Sequence, residues 1–337
     1  MAGWLQQAWY QQRRPPPALW LLLPLHGLFV LISALRRVLY RAGWLRAESL
    51  QVPVVVVGNL IAGGAGKTPT VIALAAALQA RGRRPAIISR GYGGAAGVAR
   101  PVLAGSSASE VGDEPLLLAR KSGVPVWVGR DRVAAARALL AAHPEVDVLI
   151  ADDGLQHYRL ARGAEVVVFD RRGLGNGWRL PLGPLREPLA RVCAADAIVC
   201  NGEVEVEWPA AAPPRFAMAL APGALWNLNE PKRQCQAGDL LGCELHAVAG
   251  IGDPSRFFAT LAGSGLQFTS HPFPDHHAYR AGELDFGPGA VLLMTEKDAV
   301  KCAGLTVGEA WVLPVEARLP PALPDLIMEK INGRPIA

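Results

Sequence analysis

No two cysteines stand at Cys-x-x-Cys spacing, and the five present (Cys193, Cys200, Cys235, Cys243, Cys302) are odd in number. This gives neither a disulfide framework nor a zinc signature, and it suits a reducing, cytosolic setting for the globular part. The guanine-reading motif Asn-Lys-x-Asp is also missing; Thr295-Glu-Lys-Asp is not one. Charged residues make up only 19% of the chain and apolar ones 51%, which excludes a disordered polymer. No repeat of solenoid period occurs. The first 47 residues contain no acid at all.

That last absence explains the net charge of +5. Residues 1–47 carry six arginines (Arg13, Arg14, Arg36, Arg37, Arg41, Arg46); without them 28 of the 34 basic residues face 29 acidic ones. The basicity belongs to the N-terminus, beside an apolar run. It favours anionic lipid headgroups, with no nucleic acid as partner. The run, residues 18–35, has no formal charge. A span needs about 20 apolar residues, and Pro24, His26 and Gly27 weaken this one. Arginines on both sides leave its orientation open. The absence of a small-residue cleavage pattern argues against a signal peptide. A full span, an in-plane or half-inserted anchor and a buried core helix compete. The favoured reading is a short hydrophobic anchor within residues 1–47 that keeps the C-terminal bulk in the cytoplasm.

At roughly 150 residues per domain, 337 residues predict two domains. Residues 53–57 (Pro-Val-Val-Val-Val) read as a buried parallel strand. Val71, Ile72, Leu74, Ala75 and Leu78 give helical spacing over 68–80. Strands are expected at 85–88, 125–128, 146–150, 166–169 and 197–200, with a helix at 131–142. This alternation predicts an α/β class with a mostly parallel sheet covered on both faces. A proline-broken stretch, 203–240, reads as a boundary. A second α/β pattern follows, with strands at 246–250 and 290–294 and a helix after Asp253-Pro254.

Residues 58–68 read Gly-Asn-Leu-Ile-Ala-Gly-Gly-Ala-Gly-Lys-Thr, between the first strand and the first helix. The end matches the phosphate-binding loop Gly-x4-Gly-Lys-Ser/Thr, but Ile61 stands where its first glycine belongs. Gly63, Gly64, Ala65 and Gly66 would turn backbone N–H groups toward phosphate oxygens, at a helix N-terminus. Lys67 would reach the β- and γ-phosphates and Thr68 would ligate Mg²⁺. Without a guanine motif the expected nucleotide is ATP. Asp147-Val-Leu-Ile-Ala-Asp-Asp-Gly-Leu-Gln-His (147–157) has the form of a Walker-B strand. Adjacent acids on a strand point to opposite faces unless the strand ends there, so an end near Asp152 is expected, with Gln156 and His157 close behind.

Other polar clusters admit two readings each. Ser89-Arg-Gly-Tyr-Gly-Gly (89–94) is a turn or a close approach to ligand. Asp113 is a helix cap or a general base. Residues 170–188 form a long loop with four arginines, suited to an anionic substrate or the transferring phosphoryl group. Phe273-Pro-Asp-His-His-Ala-Tyr (273–279) could serve proton transfer or, lacking a third spaced ligand, less readily a metal.

Taken in order, Val57–Pro69, 89–94, Val111-Gly-Asp-Glu-Pro, Asp152-Asp-Gly-Leu-Gln-His, Gly173-Leu-Gly-Asn-Gly, Pro184-Leu-Arg-Glu-Pro, Phe273-Pro-Asp-His-His and Thr295-Glu-Lys-Asp resemble the tetraacyldisaccharide 4′-kinase (lipid A 4′-kinase) family of Gram-negative bacteria. The resemblance implies a P-loop kinase-like three-layer α/β/α domain and a second, smaller α/β/α domain, joined by a β-ribbon hinge, with an N-terminal membrane-anchor helix. Expected bounds are 1–47 for the anchor segment, 48–222 for the nucleotide domain and 223–304 for the second, with the tail 305–337 returning to the first. It implies an inner-membrane enzyme, on the cytoplasmic face, that moves the γ-phosphate of ATP to the 4′-hydroxyl of a tetraacylated glucosamine disaccharide 1-phosphate. It places Asp152, Gln156 and Glu187, with Thr68, around Mg²⁺, and pairs a catalytic Asp113 with His276 rather than His277. Lys67, Mg²⁺ and Arg171 or Arg172 would meet the charge in transfer. Residues 18–35 would hold the membrane surface, and a monomer is expected. The alternative is a membrane-associated regulatory P-loop ATPase of the partitioning or chaperone type, which usually has Lys where this chain has Ala62.

Overall fold

The computed structural model describes residues 2–333 except 13, 93, 95, 96, 104 and 303, and no side chain at 2, 3 and 6. Gly93 of the 89–94 turn and the tail beyond 333 lie outside the described residues. Strands β1 (Val54–Gly58), β2 (Pro85–Ser89), β3 (Arg100–Pro101), β4 (Val126–Val128), β5 (Val148–Asp152), β6 (Ala164–Asp170), β7 (Ala197–Asn201) and β8 (Arg215–Pro222) come first. Next are β9 (Leu225–Asn227), β10 (Gln234–Cys235), β11 (Leu245–Ala249), β12 (Thr269–Pro272), β13 (Val291–Thr295) and β14 (Ala310–Leu313), and last β15 (Val315–Arg318). They build a nine-stranded sheet, β15-β8-β7-β6-β1-β5-β2-β4-β3, and a six-stranded one, β10-β9-β14-β13-β11-β12.

The helices are α1 (Ala2–Tyr10), α2 (Pro17–Trp20), α3 (Leu23–Arg41), α4 (Lys67–Gln79), α5 (Ala108–Val111), α6 (Asp113–Ser122), α7 (Arg132–Ala142), α8 (Pro254–Gly263), α9 (Glu296–Ala299) and α10 (Ala322–Gly333). The valine run of β1 is buried on both faces because the strand is central and parallel to both neighbours, β5 and β6. Val55 and Val57 pack with Leu74 and Leu78 of α4, Leu116 of α6 and Ile327 of α10. Val54 and Val56 face the other way, with Val133 and Leu139 of α7 and Phe169 of β6. Each such buried valine contributes about 1.5–3 kcal/mol relative to exposure. The second sheet likewise has two packed faces, one under Phe257 and Leu261 of α8 and one under Tyr279 and Leu284.

The chain crosses between the sheets twice, side by side. It leaves β8 for β9 at Gly223 and returns from β14 to β15 at Pro314, with the Gly223 amide donating to the Pro314 carbonyl at 3.0 Å. Two expectations change here. The 203–240 stretch is not merely a boundary, because β8 within it joins the first sheet parallel to β7. The tail returns to that sheet only from Val315, since 310–313 pairs in parallel with β13 of the second sheet. Prolines hid β8, and the single Pro314 gave little warning that adjacent short strands serve different sheets.

Helix α3 is long and apolar enough to cross a membrane. None of its residues is buried, which overturns the core-helix reading. One stripe nevertheless rests on the body. His26 meets the Arg179 carbonyl at 3.0 Å and the Trp178 ring, Arg37 lies 3.6 Å from Glu187, and Tyr40 packs on Tyr158. The opposite stripe, with Leu28, Leu31, Ile32, Leu35 and Val38, is exposed and apolar.

Candidate active site

The glycine-rich loop leaves β1 and enters α4 through Gly66, whose φ is +92°. A Cβ there would also stand 2.4 Å from Asn201 Nδ2, so glycine is required twice over. Four successive carbonyls of this loop accept side-chain hydrogen bonds. Tyr10 donates to Ala62 at 2.8 Å, Asn59 to Gly63 at 3.0 Å, Arg172 to Gly64 and Asn201 to Ala65 at 3.4 Å. A planar trans peptide points its N–H opposite its C=O. Tyr10 and Arg172 stand outside the cavity described below. Holding the Ala62 and Gly64 carbonyls from there turns the Gly63 and Ala65 amides the other way. The Arg172 guanidinium lies 4.8 Å over the Tyr10 ring and is paired with Asp170. Burial pushes the Tyr10 hydroxyl up to about 12, so it remains a donor. Lys67 is buried, 3.2 Å from Asn59 Oδ1 and 3.5 Å from Asp153 Oδ1. Thr68 is half-buried in the first turn of α4.

Strand β5 ends at Asp152, and Asp153 follows with φ +46°. The left-handed residue brings both carboxylates to one cavity instead of opposite faces. Their surroundings differ. Asp153 sits against Arg186 at 3.0 Å and Lys67; burial opposes its charge, but these cations win and hold it well below the usual range. Among the described residues the Asp152 carboxylate accepts only from Ser89, at 3.1 Å, and its Oδ1 is buried without a hydrogen-bond partner. Burial, then Glu114 and Asp153, push its pKa up. An orphaned, charge-crowded carboxylate beside a phosphate loop fits a hard divalent cation. Among the described residues no group of three or more His, Cys, Asp or Glu could hold one alone. Mg²⁺ needs only one or two carboxylates when phosphate oxygens and water complete its shell. Glu187 fits less well, being occupied by Gln156 at 3.0 Å, Tyr158, and Arg37 and Arg191 at 3.6 Å each.

Asp113 opens α6, behind Gly112 with φ +90°, where a Cβ would stand 2.5 Å from the Tyr92 carbonyl. His276, from the loop after β12, has φ +61° and brings Nδ1 to 3.0 Å from Asp113 Oδ2. His277 turns instead to Glu283 at 3.1 Å. The contact raises the His276 pKa against the pull of burial. For Asp113 burial acts upward, but the His276 hydrogen bond and the Lys297 charge outweigh it and lower the value. Lys297 stands 2.9 Å from Glu114, 3.1 Å from Asp275 and 3.9 Å from Asp113. The 295–298 motif thus clasps α6: Glu296 pairs with Lys121 at 2.8 Å, and buried Asp298 accepts from Gly250, Tyr279 and Thr295. Its composition alone gave no sign of that role.

A cavity of about 610 Å³ is lined by the loop, Asp152, Asp153, Gln156, Glu187, Glu114, Asp275 and His276. Phe29, Ser33, Arg36 and Arg37 of α3 form another wall, with Arg90 and Arg186 opposite in charge to the acids. Arg171 and Arg172, expected at the transferring group, do not line it. Arg171 binds Asp253 at 3.0 Å and Arg172 lies behind the loop. His157 is absent from the wall too; its carbonyl accepts from Arg162.

A model of the family described as tetraacyldisaccharide-1-P 4′-kinase matches residues 18–332. The chain belongs to this family. It is 58% identical, over all of both chains, to a tetraacyldisaccharide 4′-kinase of Dechloromonas aromatica (strain RCB). A second, of Azoarcus sp. (strain BH72), is 51% identical over 97% of this chain and 96% of its own. The crystal structure of LpxK from Aquifex aeolicus in complex with ATP superposes with TM-score 0.78 at 31% identity, covering 92% of this chain and 98% of that one. Membership in the 4′-kinase family removes the partitioning-type ATPase reading, and the fold is the P-loop kinase-like α/β fold.

Two outcomes are expected of this site. Tyr10→Phe removes only the hydroxyl that holds the Ala62 carbonyl. One hydrogen bond is worth about 1 kcal/mol, so calorimetric ATP affinity should fall about fivefold; equal affinity would remove the bracing role. The His276 contact should also be pH-dependent. A raised His pKa gives stability that is full below 6.5 and lost as pH climbs through the raised value. The lowered Asp113 pKa gives stability present above 3.8 and lost below it. His276→Gln should therefore lower Tm more at pH 5.5 than at pH 9; a pH-independent difference would contradict the pairing.

Proposed function

We propose that the chain phosphorylates the 4′-hydroxyl of a tetraacylated glucosamine disaccharide 1-phosphate with the γ-phosphate of ATP, in lipid A biosynthesis. The supporting observation is that His276, held by Asp113 at 3.0 Å, lines the same cavity as Lys67 and Asp152. The nucleotide unit is 48–222 with the returning 315–333, and the second unit is 223–314. Each contributes to the cavity, the second through Asp275 and His276.

A sugar hydroxyl attacks phosphorus only if its proton can leave. The dyad takes that proton while the bond to the γ-phosphorus forms and the bond to the ADP oxygen breaks. His276 faces the cavity and Asp113 lies behind it on Nδ1, fixing the ring and stabilising its cation. Lys67 and the loop amides bind the phosphates, and Arg90 and Arg186 add positive charge. Mg²⁺ arriving with the nucleotide would be held by Asp152 and Thr68 and would supply positive charge that neutralises the phosphates. General-base help is worth about 10²–10⁴-fold. Asp113→Ala should cut turnover by at least 100-fold while ATP still binds; near-normal turnover on the disaccharide lipid would eliminate the dyad.

We also infer that α3 lies in the plane of the inner membrane's cytoplasmic face. Its docked stripe (His26, Phe29, Ser33, Arg37, Tyr40) recurs at three- and four-residue steps over 14 residues, roughly 21 Å at 1.5 Å per residue. A helix clasped along one side for that length presents only its other side to lipid, as interfacial helices do. Replacing Leu28, Leu31, Ile32 and Leu35 with serine leaves the docked stripe intact. The variant should leave the membrane fraction and show a raised KM for lipid with little change in kcat. Undiminished sedimentation with membranes would refute the in-plane anchor.

A further inference from the structure

A second cavity, of about 340 Å³, adjoins the first and shares Arg37 and Tyr158 with it. Its wall carries four arginines, Arg37, Arg41, Arg162 and Arg191, against two acids, Glu165 and Asp196. Both acids are already engaged. Glu165 takes Arg191 Nη2 on its two oxygens, at 2.7 and 2.6 Å, and Arg162 at 2.6 Å. Asp196 accepts from the Glu165 amide at 2.9 Å and faces Lys330 at 3.5 Å. Positive charge is left over.

Two of the leftover donors are buried. Arg191 is 7% exposed, and among the described residues its Nη1 has no hydrogen-bond partner. Arg37 Nη1 has none either, the nearest carboxylate oxygen, on Glu187, being 3.6 Å away. Arg41, in the last turn of α3, is exposed and makes no ion pair among the described residues. A buried guanidinium N–H without an acceptor is costly. An anion with several oxygens would relieve both, and the planar fork of arginine matches phosphate. The cavity lies against the C-terminal turn of α3, whose far side is the apolar exposed stripe. A ligand here would sit where headgroups lie.

We propose that this cavity is a second anion site, which binds the phosphate of a membrane amphiphile through Arg37, Arg41 and Arg191. Two sources carry that group: the 1-phosphate of the acceptor disaccharide, which rests on the function proposed above, and the headgroup of an anionic phospholipid, which does not.

Arg41→Gln in the full chain separates them, because Arg41 is exposed and its loss leaves no buried partner. The KM would be measured on the disaccharide with and without its 1-phosphate. Flotation would be measured with phosphatidylcholine vesicles with and without phosphatidylglycerol. If the substrate supplies the phosphate, KM rises about five- to tenfold on the 1-phosphate compound only, with kcat unchanged. If a phospholipid does, partition onto phosphatidylglycerol vesicles falls about fivefold and neither KM moves. Equal KM shifts on both disaccharides, or no change in any arm, overturns the proposal. A wild-type protein that phosphorylates neither compound refutes the function instead, and the vesicle arm then decides the site.

Discussion

One half-buried ammonium organises the place where the two sheets meet. Lys297 is gripped by Glu114, Asp275 and Asp113, three carboxylates that would repel one another without it. Burial works against its charge, but the acids outweigh that and raise its pKa. The consequence is local and functional. The His276 hydrogen bond and, after it, the Lys297 charge hold the Asp113 pKa low although that residue is only 6% exposed. An ionised Asp113 is what fixes His276, and His276 comes from the other sheet. The clasp and the dyad are therefore one electrostatic unit, and the cavity keeps its shape because the two sheets are locked there.

The opposite wall works by separating two neighbours. Asp152 and Asp153 have the same chemistry, yet one is crowded by acids and burial and the other by cations. Environments that drive adjacent carboxylates apart divide their roles. Asp153 is committed to Lys67 and Arg186. Asp152 keeps an unpartnered oxygen, which suits a cation that arrives with its nucleotide. A single left-handed residue at the strand end makes the division possible.

Much of this was legible in the chain. The valine run and the glycine-rich turn placed β1, the loop and α4, because burial on both faces and a positive φ leave few alternatives. The end of β5 at Asp152 followed from the period-two rule. What composition could not give was partnership across long separations. Tyr10 and Arg172 brace the loop from 52 and 108 residues away, and nothing in either segment announces it. Arg171 and Arg172 looked like phosphate ligands because arginines in a long loop usually are; both had nearer acceptors. Pairing of His276 rather than His277 with Asp113 came from the family resemblance; a turn at φ +61° is what separates the two rings.

The position of α3 unites these observations. Its inner stripe is part of the wall that carries Lys67 and His276, and its outer stripe is apolar. On the proposed reading, a lipid need not be extracted to be phosphorylated. Its sugars enter along the helix, past Ser33 and Arg36, while its acyl chains remain on the far side. The residues just before α3 extend the same logic inward, since Trp9 donates to the Pro181 carbonyl at 3.0 Å and Tyr10 holds the phosphate loop. On the same proposed reading, seating the N-terminal segment at the membrane would also favour the loop conformation that receives ATP, because coupling between sites is reciprocal.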